Sequence, residues 1–554
     1  MKNILCLFLL AGALAAQAQT PTNDLLRHIP ADADQVIDIN LGTLSSKIDL
    51  PTVINLVGSK AKNKSFSEVQ HLLTAGIDLH AHVLITQTNS NQQDSVKYTT
   101  FLIPLTDSAK FASFVRTNAK EGAGAPIHYL HPLGKRIAVV NPHEIEGWTD
   151  KLAVLIIEAP PAHPAGTPQT PAAIHAKTAH RAAAALLGFT NIPFLTDEHF
   201  TTAFSDDGDV HIWSHKNQLA GLASKLGKIA PGMAQLDMLS QMAGQGKGKT
   251  ESIATIRFDN GNISYSTLKF ISPAQIAATQ RALGQGLSPE LLAIVPPHQL
   301  IGVVSAHVDM GAMEDSVRKM PMIGEIDTMA TSKGIHIWDI LHALKGDFML
   351  LVCNPDKPAT MDSTGKPKMP PPPMYLVASI TSKTAFEKVA STVKLKDATT
   401  PDADTATTDT AHSKNPFPYY LIQNDLAVFG KRRQVNEFFT PGRDVDPVGK
   451  LLPEADTRTN AVNIILDFHA LADDLLAPTL NTPDAPAKNK ALLDALRNLQ
   501  TLQVSVGAIR GDAMETRIQL NFTDKSKNSL TTLMNMVGAL SGKSGSGNGQ
   551  GSAR

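Results

Sequence analysis

The chain carries one pattern twice, and whatever it folds into has to accommodate two like halves. "LLRHIPADADQVIDINLGTLSSK", from Leu25, resembles "LLAIVPPHQLIGVVSAHVDMGAM", from Leu291. In both, a Leu-rich turn leads to a proline, then a β-branched run, then a polar stop and a spaced Leu or Met. Pro30 and Pro296 set the offset at 296 − 30 = 266 residues. "TDSAKFASFV" from Thr106 echoes "TSKTAFEKVA" from Thr381, each after an apolar, strand-like segment. "DVHIWSHKNQLAGLA" from Asp209 echoes "AVNIILDFHALADDL" from Ala461. "ATIRFDNGNISYSTLKF" from Ala254 echoes "GAIRGDAMETRIQLNF" from Gly507. The order is the same in both halves, and the offsets drift only as loops differ in length. A tandem duplication is expected, in agreement with a length of 554 residues, more than one hydrophobic core supports.

Local chemistry assigns the elements. "RFDNGNISYSTLKF" reads as a hairpin turning at Gly261. Ser272-Pro273 and Ser288-Pro289 each set a capping hydroxyl before a proline, a helix start. In the last helix Leu530, Leu533, Met534, Val537 and Leu540 recur at helical spacing and are expected to form one buried face. Strands come in hairpins, with helices between and after them. The fold class is therefore α+β, with antiparallel sheets packed by helices in each half. A strand followed by a spaced-leucine helix occurs twice per half, as in "QVIDINLGTL" and "VHIWSHKNQLAGL", so two lobes per half are expected. The division is a signal peptide at 1–18, a first repeat at 19–275, a second at 276–540 and a disordered tail at 541–554. Pro/Ala-rich 158–173, polyproline "KMPPPPMY" and polar 397–416 read as irregular insertions.

The N-terminus has the build of an export signal. Lys2 supplies positive charge, Ile4 to Ala16 form an apolar run, and Ala16-Gln17-Ala18 offers small residues for cleavage before Gln19. Cys6 lies too early in that run to be a lipid-attachment site. A periplasmic or secreted protein is expected, with no transmembrane span after cleavage. Cleavage would leave Cys353 as the one thiol, so no intrachain disulfide is expected, and its apolar run reads as a buried strand. Lys plus Arg number 50 against 51 Asp plus Glu, which gives no electrostatic reason to expect nucleic acid as a partner. Aromatic residues are 5%, which disfavours stacking platforms for sugars or bases.

"AGQGKGKT", from Ala243 to Thr250, fits the loose form of a phosphate-binding loop. A working loop joins a buried strand to the N-terminus of a helix, whose amides hold the anion. Here "AQLDMLSQM" before it has helical spacing and "SIATIRF" after it reads as a strand. The glycines would then sit at a helix C-terminus, where the dipole repels phosphate. The matching stretch of the other half, "LLDALRNLQTLQVSV", has no glycine or lysine at the join. A nucleotide site is not expected.

Nineteen histidines raise the question of metal. On a strand, Asp78, His80 and His82 would share a face, and so would His211 and His215 with Trp213. Hydrogen-bonded or solvated histidine is the expected role for each. Asp206, Asp207 and Asp209 read as turn formers, with no EF-hand register around Gly208. The sequence has no HExxH and no GxSxG elbow. No residue is assigned a catalytic, cofactor-binding or metal role, and no cofactor is expected.

"HIPADADQVIDINLGTL", "GIHIWDILHALKGDFMLLV" (334–352) and "DVHIWSHKNQLAGLA" together resemble a family of exported Bacteroidota proteins, known as a domain of unknown function. The resemblance covers most of the mature chain and includes a Gly-Asp before an apolar strand, here Gly346-Asp347. It implies an envelope protein with a signal peptide or lipid anchor. This chain departs in lacking the lipoprotein cysteine, and the family supplies no catalytic residues to carry over. The expected function is non-enzymatic binding of an envelope partner or ligand. The alternatives are a hydrolase or metal-dependent enzyme with a site in one half, and a carrier of an apolar ligand between lobes.

Overall fold

In the computed structural model the described residues are 23–48, 75–88, 96–123, 128–141, 143–159, 171–189, 196–215, 251–283, 286–318, 323–332, 334, 336–355, 360–361, 367–368, 371–400, 416–440, 445–452, 454–480 and 487–540. The expected leader, the 243–250 loop, the helically spaced "AQLDMLSQM" before it, the tail and most of the 158–173 and 397–416 insertions lie outside them. The chain is mixed in helix and strand and divides into two units, Met1–Lys269 with Lys525–Arg554, and Phe270–Asp524.

The strands of the first unit are β1 (Gln35–Asn40), β2 (His82–Thr88), β3 (Lys97–Pro104), β4 (His128–Leu130), β5 (Ile137–Asn141), β6 (Glu144–Trp148), β7 (Leu152–Ala159), β8 (Val210–Ser214), β9 (Ser252–Asp259) and β10 (Asn262–Phe270). They pair antiparallel in the order β4-β5-β6-β7-β3-β2-β1-β8-β9-β10. The first strand in sequence is thus central in space. The two cadences expected to head separate lobes are β1 and β8, and these pair directly, with Asp38 opposite His211. One continuous sheet per unit replaces the expected pair of lobes, because the β8 segment closes on β1 rather than starting a new core.

Side chains alternate across this sheet. One face carries Ile39, Val83, Ile85, Phe101 and Ile103, packed with Leu41 and Leu44 from the Leu41–Lys47 helix and with Phe111 and Val115 from the Ser108–Ala123 helix. Asn40 starts the Leu41–Lys47 helix, its side chain accepting from Thr43 N at 3.0 Å. On the other face Val36, Leu84, Leu102, Ile156 and Trp213 are buried. The Pro171–Leu187 helix covers β5, β6 and β7 there. Its Ala179, Ala182, Ala183 and Ala185 are buried, and small side chains permit close approach.

The closing helix, Ser529–Leu540, falls in the expected second repeat in sequence but packs in the first unit, with Leu530 in the core around Ile39 and Phe101. Asn528 Nδ2 donates to Phe258 O at 2.8 Å, and Thr531 Oγ1 to Lys47 O at 3.2 Å. The buried residues of this helix are Ser529, Leu530, Met536 and Gly538. Val537 and Leu540 are exposed, which corrects the expected apolar face: periodicity locates the stripe but not its edge.

The second unit contains β11 (Leu300–His307), β12 (Leu344–Cys353), a separate ribbon of β13 (Thr360–Met361) and β14 (Pro367–Lys368), then β15 (Met374–Ile380), β16 (Lys396–Asp397), β17 (Tyr419–Gln423), β18 (Leu426–Gly430), β19 (Val462–Asp467), β20 (Leu499–Arg510) and β21 (Ala513–Phe522). Its sheet order is β16-β17-β18-β15-β12-β11-β19-β20-β21, antiparallel apart from the short parallel β16–β17 pair. From β6 to β10, and from β17 to β21, the two orders correspond strand for strand. The β9–β10 and β20–β21 hairpins turn at Gly261 (φ 66°) and Gly511 (φ 60°). Asn424 and Asp425, both at positive φ, make the two-residue turn between β17 and β18. The core gathers Leu291, Val303, Met349, Leu351, Tyr375 and Val428, with Cys353 buried among them.

Candidate functional site

An aspartate in the middle of an apolar strand has to be paired to be buried. Asp38, at 0% exposure on β1, takes its partners from the strands on either side. From β2, His82 Nδ1 lies 2.8 Å from Asp38 Oδ1 and 2.9 Å from Oδ2. From β8, His211 Nδ1 lies 3.1 Å from Asp38 Oδ2. The other ring nitrogen, His211 Nε2, lies 2.7 Å from Asp206 Oδ1. Asp206 also accepts from Gly208 N at 2.8 Å and meets Arg257 Nη2 at 2.9 Å.

Both nitrogens of His211 face carboxylates, so both donate, and the ring is an imidazolium. Burial opposes that charge, but the hydrogen bonds to Asp206 and Asp38 outweigh it and lift the His211 pKa to about 9. On Asp206, burial pushes the pKa up, and the hydrogen bond from His211 prevails and holds it low. Gly208 leaves the room: a Cβ there would lie 2.7 Å from His211 Nε2 and 2.9 Å from Asp206 Oδ1. Charges alternate along Arg257, Asp206, His211 and Asp38, and the last two are sealed from solvent while Asp206 is exposed.

A second group lies along the same strand. Beyond the end of β8, His215 Nδ1 is 3.1 Å from Glu251 Oε1. His199 Nδ1, at the start of the Glu198–Ala203 helix, is 3.0 Å from Glu251 Oε2. Asp197 caps that helix, its Oδ1 accepting from His199 N at 2.8 Å and Phe200 N at 3.1 Å. Trp213 lies between the two groups, its ring 5.1 Å from Phe200 and 4.3 Å from His215.

The second unit has its own buried His–Asp pair between its first two strands, with the residue types exchanged. His307 of β11 meets Asp347 of β12 at 2.5 Å, and Ser379 Oγ donates to Asp347 Oδ2 at 3.0 Å. Gly346 makes this possible: at φ 105° it bulges the strand, and a Cβ would lie 1.8 Å from Val308 O. The same unit has a shallow pocket of ≈ 50 Å³ on the β19–β21 face, lined among others by Asn463, Gln503, Ser505, Arg517 and Gln519.

Of the residues singled out by sequence, His82 and His211 converge on Asp38. Asp78 and His80 do not join them, because β2 begins only at His82. Asp78 Oδ1 accepts from His80 N at 2.9 Å, a turn that precedes the strand. His211, Trp213 and His215 do lie on one side of β8, but in two different clusters. Asp206 is a turn former and also a partner of His211. Sequence reasoning missed Asp38, His199 and Glu251; for Asp38 the signal was there, a carboxylate inside "VIDIN".

No protein-family profile matches this chain, and no curated protein does. Among solved structures it is similar to three crystal forms of TP0453, a Treponema protein. Form I is 10% identical, with 47% of this chain and 81% of that one covered and a TM-score of 0.26. Forms IV and III are each 9% identical, with 48% and 45% of this chain and 85% and 80% of theirs covered, at TM-scores of 0.25 and 0.26. A likeness this slight carries no argument about function.

Proposed function

We propose that this chain is an exported, non-enzymatic protein of the cell envelope, built by tandem duplication of one α+β unit, that binds a partner or ligand. The observation that carries the binding reading is the polar pocket on the β19–β21 face. There amide, hydroxyl and guanidinium groups from three neighbouring strands meet beside Leu452, Ile464 and Ile465 on one concave surface of ≈ 50 Å³, room for one small hydrogen-bonding group of a partner rather than a whole ligand. Arg517 there is paired with Glu515 at 3.0 Å and Asp456 also lines the pocket, so its charge is balanced and the match is through hydrogen bonds.

The non-catalytic part of the proposal is supported by where the acid–base groups are used. Asp38, His82 and His211 are buried and bond to one another, as groups that hold strands together do. The duplication is supported by the corresponding strand orders and the four echoed segments, and the export by the N-terminal sequence and the resemblance to exported Bacteroidota proteins. Among the described residues no helix is long and apolar enough to cross a membrane.

The test uses the full chain with its own leader, and Arg517→Glu and Gln519→Ala variants. Fractionation and N-terminal sequencing should find a mature chain starting at Gln19 outside the cytoplasm. Envelope components retained by the immobilised wild type should be lost from the variants. Retention of the same components by both would remove the pocket from the proposal, and an intact N-terminus in the cytoplasm would remove export.

A further inference from the structure

We propose that Asp197, His199 and Glu251 form a binding site for a divalent transition metal of the zinc class, with His215 beside Glu251 as a neighbour of the site. This goes beyond the proposed function, which needs no metal. One donor atom each from Asp197, His199 and Glu251 lie within 4.8 Å of one another. Each histidine turns Nδ1 toward a different oxygen of Glu251, at 3.0 and 3.1 Å. Zinc bonds of about 2.0–2.2 Å place tetrahedral ligands about 3.3–3.5 Å apart, so the His199–Glu251 spacing needs only a small adjustment.

Three backbone segments bring these groups together. Asp197 and His199 open the Glu198–Ala203 helix, His215 follows β8, and Glu251 precedes β9. Ser214 pairs with Ser252, so the last two segments are held side by side. Trp213 backs the site through its contacts with His215 and Phe200. The side chains of His199, His215 and Glu251 remain 33%, 25% and 18% exposed, open enough for an ion to enter.

Charge and donor type select the ion. With the His199 imidazole neutral, the three groups carry two negative charges, which one divalent cation balances. Imidazole with carboxylate suits zinc and its neighbours, whereas calcium and magnesium prefer all-oxygen sets and copper(I) prefers sulfur. Bound there, the ion would tie the Glu198–Ala203 helix to the sheet, a structural role.

The experiment is calorimetric titration of chelator-stripped full-length protein with zinc chloride, alongside thermal melts with and without the metal. One zinc per chain at micromolar or tighter Kd is expected, with a raised melting temperature and no response to magnesium. His199→Ala and Glu251→Gln should each weaken zinc at least tenfold and abolish the thermal shift. Wild-type protein loaded with cobalt(II) provides a readout that does not depend on the variants folding. Nitrogen and oxygen ligands give weak visible bands, whereas a thiolate site at Cys353 would give strong near-ultraviolet charge transfer. Absence of stoichiometric zinc, wild-type affinity in both variants, or a thiolate band would each overturn the proposal.

Discussion

Asp38 and His211 stand directly opposite each other on β1 and β8, joined at 3.1 Å in the interior of the first unit. Neither is tolerable there alone. Together with Asp206 and Arg257 they pin the strand that returns from a distant part of the sequence to the one it has to meet.

Stability should therefore fall on the alkaline side. The His211 pKa is raised from 6.5 to about 9 on folding. Its contribution is fully present below pH 6.5 and is lost as pH rises through about 9. Denaturant melts between pH 6 and 10 check this. His211→Gln should flatten the loss and cost roughly 3–5 kcal/mol at pH 6, because it strands buried carboxylates. An unchanged slope in the variant would show that the imidazolium is not the source.

Glu146 acts in the same direction over a lower range. On β6 it is buried between Ala138 and Leu155, its Oε2 has no hydrogen-bond partner, and burial raises its pKa from 4.5 to about 8, with Glu144 adding to the effect. Folding prefers the protonated form, so stability declines as pH rises from about 4.5 through about 8. Glu146→Gln should stabilise the protein at pH 8 by roughly 3–5 kcal/mol and leave it nearly unchanged at pH 4. A variant less stable than wild type at pH 8 would mean that the carboxylate is charged and paired.

Two glycines separate backbone strain from crowding. Gly134 has φ 72° and nothing within 4 Å of a Cβ, whereas Gly346 has φ 105° and Val308 O at 1.8 Å. Gly134→Ala should cost about 1–2 kcal/mol, the left-handed penalty alone. Gly346→Ala should cost well above that and disturb the His307–Asp347 pair. Equal losses in thermal melts would show that the β12 bulge yields to a side chain.

Asp38→Asn and Asp347→Asn should each destabilise the protein by roughly 3–5 kcal/mol. Each weakens its own unit, so protection from hydrogen exchange should drop on β1, β2 and β8 in the first variant and on β11, β12 and β15 in the second. Uniform loss across both units in either variant would count against local pairing.

What the sequence discloses and what it hides divide along contact distance. Hairpins, proline-led helix starts and the strand cadence are local, and "SIATIRF", "RFDNGNISYSTLKF" and Ser272-Pro273 all read correctly. Ser272 caps its helix through Gln275, whereas Ser288 precedes a helix at Pro289 but its hydroxyl makes no cap, which corrects the second expected capping serine. The expected lobes do not form because the pairing of β1 with β8 is set by a contact 173 residues apart, Asp38 with His211. His199 and Glu251 are separated by 52 residues, and neither has a motif around it. Alternation alone puts Asp78 and His80 on a strand, whereas the Asp78 carboxylate makes a turn that delays β2.

The placement of the Ser529–Leu540 helix fixes an order of events during synthesis. The core around Ile39 and Phe101 lacks Leu530 until almost the entire chain has been made, and Lys47 waits for Thr531 across 484 residues. The first unit to leave the ribosome is thus the last to be finished.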